Sequence, residues 1–180
     1  MSAPDGRLTD MTSSDRLMPP LIADERATLE GWLDFYRSTL ELKCRDLDDG
    51  QLREAAVPPS KLTLLGLVQH MAEVERNWFR RVLTGETVGA IYRPDAAPEG
   101  PDGGFDVTEG TTLADALAAW RVEVLQARTN CEGRELGATS PFMGAEVTLR
   151  WIYVHMIGEY ARHAGHADLL RERIDGRTGV

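Results

Sequence analysis

Cysteine is scarce in this chain: there are two among 180 residues, Cys44 and Cys131. They lack any metal-knuckle spacing, so both read as structural, reduced thiols. No run of about 20 apolar residues exists, so no segment is expected to span a membrane. The opening MSAPDGRLTDMTSSDR is polar and lacks the apolar core of a secretory leader. The expected location is therefore the cytoplasm. Positive charge is also short: 20 Lys and Arg stand against 29 Asp and Glu, a net charge of −9. Such a chain gains nothing from a phosphate backbone, and nucleic acid is not an expected partner. The most basic stretch, ARHAGHADLLRER, is itself diluted by Asp168 and Glu172. There is no internal repeat and no strong alternating strand pattern.

What is present is helical periodicity. Hydrophobic residues make up 42% and charged residues 27%, the balance of an ordinary globular domain with a real core. Residues 1–19 hold little that can be buried and read as a flexible tail before a domain at 20–177. Pro19-Pro20 suits a helix entry, and the first helix is expected over 21–47, with Leu29, Trp32, Leu33, Tyr36, Leu40 and Leu47 on one face. Asp48-Asp49-Gly50 is expected to end it. Residues 50–61 read as a connection. The second helix is expected over 61–83, capped by Thr63, with a stripe of Leu64, Leu67, Val68, Met71, Val74, Trp78 and Val82.

Residues 84–110 are crowded with Pro, Gly and Asp. They predict a long connection between the second and third helices with no packed element of its own, placed to cover one end of a bundle or to stay loose. Thr112 and Asp115 have capping-box spacing ahead of a third helix, LADALAAWRVEVLQARTN. Its alanines 114, 116, 118 and 119 would permit close helix approach. Residues 131–147 read as a connection, and 148–174 as the fourth and longest helix, stopped by Asp175-Gly176. Four amphipathic helices, each with one face to bury, predict an all-α four-helix bundle.

Three of the four histidines fall in the last helix. Residues four apart differ by about 40° around a helix, so His155, Glu159 and His163 form one row. His166 lies to the other side of it. His70 is on the second helix, three before Glu73. Two ligands from one helix and one from another are easy to bring together in a bundle core, and a catalytic or labile metal often uses three protein ligands. Spacing offers His70, Glu159 and His163 as that triad, with His155 able to replace either partner on its helix. The same i,i+4 pair also occurs as a plain surface interaction. The apolar neighbours Trp151, Ile152, Val154, Met156, Ile157 and Tyr160 favour burial, and a buried carboxylate needs a partner.

Two stretches, LTLLGLVQHMAEVERNWFRRVLTGE and TLRWIYVHMIGEYARHAGHADLLRERIDG, resemble the DinB-like superfamily of metal-binding four-helix proteins. They are most similar to the branch known as domain of unknown function 664. The resemblance runs over roughly residues 20–177 in helix order. It implies one histidine ligand on the second helix and two ligands four apart on the last: His70, Glu159 and His163. Many members have histidine at the first of the last two positions. Glutamate there resembles mycothiol-dependent maleylpyruvate isomerases. The usual Arg-Gly-Gln after the last ligand is Ala164-Gly165-His166 here.

The function so implied is divalent-metal-dependent transfer or isomerisation through a low-molecular-weight thiol, with mycothiol as cosubstrate and a small electrophilic molecule as substrate. Two imidazoles and one carboxylate leave a divalent ion with net positive charge and do not select one metal; zinc is the first expectation, nickel or manganese the others. His155 and His166 are candidates for catalytic proton relay or for orienting a ligand, with core packing or a surface role the alternative for each, and Arg162 is a candidate for binding the cosubstrate. Glu73 is offered either as a partner of a ligand or as a solvated charge. Arg150, like Arg162, is offered as a contact for substrate carboxylates or as a solvated charge, and Trp78 and Trp151 as core residues rather than substrate platforms. A homodimer is expected from the resemblance. The rival reading is a bundle that binds metal, or serves in stress, without catalysis.

Overall fold

The computed structural model describes residues 16–92, 103–107 and 109–179. In chain order these hold α1 (Glu25–Lys43), a short α2 (Asp49–Leu52) and α3 (Leu64–Arg76). A π-helical continuation of α3 follows (Asn77–Val82), then α4 (Leu113–Cys131), strands β1 (Thr139–Phe142) and β2 (Ala145–Thr148), and α5 (Leu149–Asp175). The long helices α1, α3, α4 and α5 make the expected bundle. α1 lies along α5 and α3 along α4, and the two pairs meet where α3 touches α5. Buried Leu33, Leu40, Leu64, Leu67, Met71, Phe79, Ile152 and Met156 fill the centre.

The helix boundaries follow local chemistry. Thr63 Oγ1 accepts from the Gly66 N–H, and Thr112 and Asp115 form a reciprocal capping box. Gly176 closes α5 in the left-handed region at φ 77°. The expectation for the first helix needs correction at both ends. Asp24, not the proline pair, caps α1 by accepting from the Ala27 N–H. At the other end the chain turns through a left-handed Asp46, at φ 61°. Asp48 does not end α1; its carboxylate caps α2 through the Gln51 N–H. The same oxygen chemistry that breaks a helix interior starts a new one at this position. Of the alanines expected to admit a close neighbour, Ala116 is fully buried while Ala114 and Ala118 face solvent. Of the expected tail, Arg16 donates to Thr39 Oγ1 at 2.7 Å and Pro19 is buried; residues 1–15 lie outside the described residues.

The larger correction concerns residues 131–147. They contain an antiparallel hairpin, with Thr139 opposite Thr148 and Phe142 opposite Ala145, turning at Met143-Gly144. It hands the chain directly to α5, whose cap Thr148 is the last residue of β2.

The second half of the α3 stretch is also not regular α-helix. Over Asn77–Val82 the turns widen, and the Leu83 N–H reaches back five residues to the Trp78 carbonyl. Side chains also reach carbonyls in and just after this stretch. Asn130 Nδ2 donates to the Phe79 carbonyl at 2.9 Å, Thr84 Oγ1 to that of Arg80 at 2.7 Å and Ser140 Oγ to that of Leu83 at 2.9 Å.

Both cysteines are buried, Cys44 1% and Cys131 4% exposed. Burial pushes the Cys44 thiol up to about 12 and also raises Cys131. A thiol that cannot ionise is not a nucleophile. In native protein at about pH 8, fewer than about one thiol in ten is expected to react with an aromatic disulfide reagent within an hour, and both after unfolding. Rapid native reaction would show that one of them is not enclosed.

Candidate metal centre

α3 and α5 cross with His70 on one side and the Glu159 and His163 turn on the other. One ligand atom from each of these residues lies within 4.8 Å of the others. Two imidazoles and a carboxylate form a nitrogen and oxygen donor set suited to zinc, nickel or manganese. A tetrahedral ion with bonds of about 2.1 Å would hold such atoms about 3.4 Å apart, so small adjustments of about 1 Å separate this arrangement from a closed site. His163 is buried, while His70 and Glu159 are half-buried, which leaves one side for a further ligand.

Each imidazole is set for coordination. His70 Nδ1 lies 2.7 Å from the Gly103 carbonyl oxygen. A carbonyl only accepts, so Nδ1 carries the proton and Nε2 offers its lone pair. Burial lowers the His70 pKa. Burial, with His70 and His166 beside it, pushes His163 down to about 3. Both rings are therefore neutral at physiological pH, the form that binds a metal. His163 Nε2 stands 3.6 Å from Glu159 Oε2. Its other nitrogen, Nδ1, faces His166 Nδ1 at 3.3 Å.

A clasp from the long connection completes the His70 side. The Phe105 ring stacks on His70 at 3.9 Å with the planes 16° apart. Gly103 and Gly104 both adopt positive φ, 57° and 92°. Underneath, Gly66 lets the clasp approach: a Cβ there would stand 2.6 Å from the Phe105 backbone oxygen. Gly66→Ala must lift the clasp off His70. The expected result is a tenfold to hundredfold loss of zinc affinity, roughly the usual cost of losing a ligand's outer hydrogen bond. Competition with a chromophoric chelator measures it, and unchanged affinity in a folded variant would contradict the role of the clasp.

A family model described as mycothiol-S-transferase matches residues 28–176. That match covers most of the chain and all three ligand candidates. The chain belongs to the mycothiol-S-transferase family. No curated protein matches it.

The structure of this mycothiol-S-transferase family member also locates the other sequence candidates. His155 is not one of the converging three, although its Nε2 is 3.8 Å from Glu159 Oε1. It sits between two indoles, parallel to Trp151 at 5.0 Å and tilted against Trp78 at 4.3 Å. Arg162 donates to Glu159 Oε1 at 3.0 Å and is otherwise largely exposed. Glu73 is half-buried; it accepts the N–H groups of Ile91 at 2.6 Å and Tyr92 at 3.1 Å, tying down the near end of the long connection, and its charge acts on His70. Arg150 pairs with exposed Glu25. Trp78 is core, as expected. Trp151 is not; it is 47% exposed. Residues 93–102 and 108 of the long connection lie outside the described residues.

Sequence reasoning missed the clasp and the hairpin aromatic Phe142. Gly103-Gly104-Phe105 carried a signal, an aromatic ring directly after two glycines in a connection rich in Pro, Gly and Asp. No helix among the described residues is long and apolar enough to cross a membrane.

Proposed function

We propose that this chain joins the sulfur of mycothiol to a small electrophile, with His70, Glu159 and His163 holding a divalent metal, zinc in the first instance. The observation that carries the reading is the convergence of those three side chains from two helices, in a member of this family. A bound divalent ion lowers the pKa of a thiol ligand so that it is a thiolate near neutral pH. The chain's own residues supply the rest. Glu159 offsets part of the ion's charge. Gly103 fixes the His70 tautomer, and His166 faces the outer nitrogen of His163 and holds that ring in place. Burial keeps His155 below the ordinary imidazole range, so its uncharged ring beside Glu159 is the candidate acceptor for the thiol proton. Arg162 stands at the mouth as a cation for the cosubstrate. In the overall reaction a carbon–sulfur bond forms as the bond to the leaving group breaks. The leaving group departs with that electron pair, and the thiol proton goes to base. Neither buried cysteine is available as the nucleophile, which supports an external thiol.

The test is turnover of mycothiol with an alkyl halide by the purified protein, before and after a chelator and after zinc is restored. Loss and recovery together are expected. Full activity in chelated protein, or none in zinc-loaded protein, overturns the reading; metal retained without turnover favours the non-catalytic binding protein. The same reading includes a cytoplasmic homodimer. Val122 and Leu125, both exposed on α4, support a small apolar contact, and sedimentation equilibrium decides the stoichiometry.

A further inference from the structure

The α5 row does not end at the metal candidates. Trp151, His155, Glu159 and His163 succeed one another at four-residue intervals, so the row runs from an indole to the candidate centre in about three turns. Trp151 and His155 are stacked with planes 7° apart. Trp78 backs both rings, 5.4 Å from Trp151 and 4.3 Å from His155. Phe142, delivered by the hairpin, closes the end at 5.0 Å from Trp78 and 6.5 Å from Trp151. The wall is continuous with the centre, because His155 stacks on Trp151 and stands beside Glu159.

A row of rings on a core-forming helix normally disappears into the core. Here Trp78 does so and Trp151 does not: 47% of it stays open, with Val154 at 57% on the same helix. Leaving an indole half in water forgoes part of its burial free energy. The exposed part of the stack lies on the same helical row as Glu159 and His163. The charged and hydrogen-bonding side chains near the centre, Arg162 and His166, are at the far end of that row. A polyhydroxylated thiol needs such polar partners. A flat apolar molecule needs the rings.

We propose that Trp151, supported by His155, Trp78 and Phe142, is the seat of the electrophile, and that the electrophile is planar and aromatic. This rests on the thiol-transfer reading above. The thiol then occupies the His166 and Arg162 end, and the two reactants meet at the centre from opposite ends of the row. Trp151 acts by binding and orienting the electrophile. In the reaction used to test it, sulfur bonds to the ring carbon of chlorodinitrobenzene, chloride leaves with the bonding pair and the thiol proton goes to base.

The experiment compares Trp151→Ala, Trp151→Phe and a control, Trp32→Ala, which removes a partly exposed indole from α1. Each is assayed with mycothiol and either chlorodinitrobenzene or iodoacetamide. The ratio of kcat/KM for the aromatic over the aliphatic electrophile is expected to fall about tenfold in Trp151→Ala, to recover most of that in Trp151→Phe and to hold in Trp32→Ala. Equal losses on both electrophiles, or a rise in KM confined to mycothiol, overturn the proposal; the second would place a sugar ring on the indole instead. Equilibrium dialysis with unreactive dinitrobenzene provides a readout without chemistry. If wild type turns over neither electrophile, the thiol-transfer reading fails. The seat is still supported if dinitrobenzene binds wild type and Trp151→Ala loses it, and is overturned if the two bind alike or wild type does not bind.

Discussion

Purified without a histidine tag, the protein is expected to carry about one divalent ion per chain, and His163→Ala less than about a tenth of that. His163 is the ligand candidate with the most to lose. It is the most buried of the three, its Nε2 faces Glu159, and its neutral form is enforced by burial. Removing its ring leaves one imidazole and one carboxylate, too few to hold a labile ion through purification. His166→Ala is expected to reduce affinity less, about tenfold, because it removes only the neighbour that faces His163 Nδ1. Plasma mass spectrometry on the native protein and both variants measures this. Circular dichroism establishes that the variants are folded. A metal-free wild-type chain that also takes up no zinc, nickel or manganese would end the metal reading, and the α5 row would then be a packing feature alone.

Glu75→Ala is expected to destabilise the fold by about 3–5 kcal/mol, the usual cost of orphaning one charge of a buried pair. Glu75 on α3 is fully buried. Arg37 on α1 grips it with two bonds, Nε to Oε1 and a terminal nitrogen to Oε2, each 2.8 Å. Tyr160 on α5 donates to Glu75 Oε1 at 2.7 Å, and Trp120 on α4 donates to the Tyr160 hydroxyl at 2.7 Å. One side chain from each long helix thus meets in a single network. Without the carboxylate, Arg37 keeps its bond to half-exposed Asp34, and the Tyr160 hydroxyl loses its acceptor. Replacing both charges, as in Arg37→Met with Glu75→Leu, is expected to recover most of the loss, since paired apolar groups avoid the desolvation cost. Urea unfolding at pH 7 distinguishes the cases; a Glu75→Ala midpoint equal to wild type would sink the argument. Tyr160 directly succeeds Glu159 in sequence, so a slackened network is also expected to blur the candidate centre.

That network shows what the sequence could and could not tell. The bundle was readable because apolar residues recur at three and four along each long helix, and because Thr63, Thr112 and Gly176 are local stop and start signals that need no tertiary information. The ligand candidates were readable because i,i+4 spacing fixes a shared face. Glu75 was not. It resembles any solvated charge on an amphipathic helix, and only the arrival of Arg37 from 38 residues away makes its burial tolerable. The hairpin was missed for another reason. Its strands are four residues each, too short for alternation to stand out, and Pro141 weakens the pattern further. The clasp at Gly103–Phe105 depends on a carbonyl and a ring reaching His70 from 33 residues away or more, and a reading by composition treats that connection as empty of structure.

The widened turns at Asn77–Val82 have a bearing on how the chain tolerates length changes. A π turn holds an extra residue relative to an α turn, so deleting one residue inside this stretch leaves a backbone that can close as ordinary α-helix. Side chains on either side of the stretch would keep nearly their present directions, because the wide turn already absorbs the rotation that one extra residue would impose on an α-helix. With the residue removed from the first turn of the stretch, Arg80 would keep Glu86 and Glu123, and Arg81 the Val88 carbonyl. The Phe79 carbonyl now served by Asn130 would return to the helix ladder, leaving Asn130 Nδ2 its longer contact with Glu86 at 3.4 Å. An alignment of this chain with a relative that lacks the extra residue should therefore open its gap between Asn77 and Val82, and that relative has no need of an amide side chain at the position of Asn130.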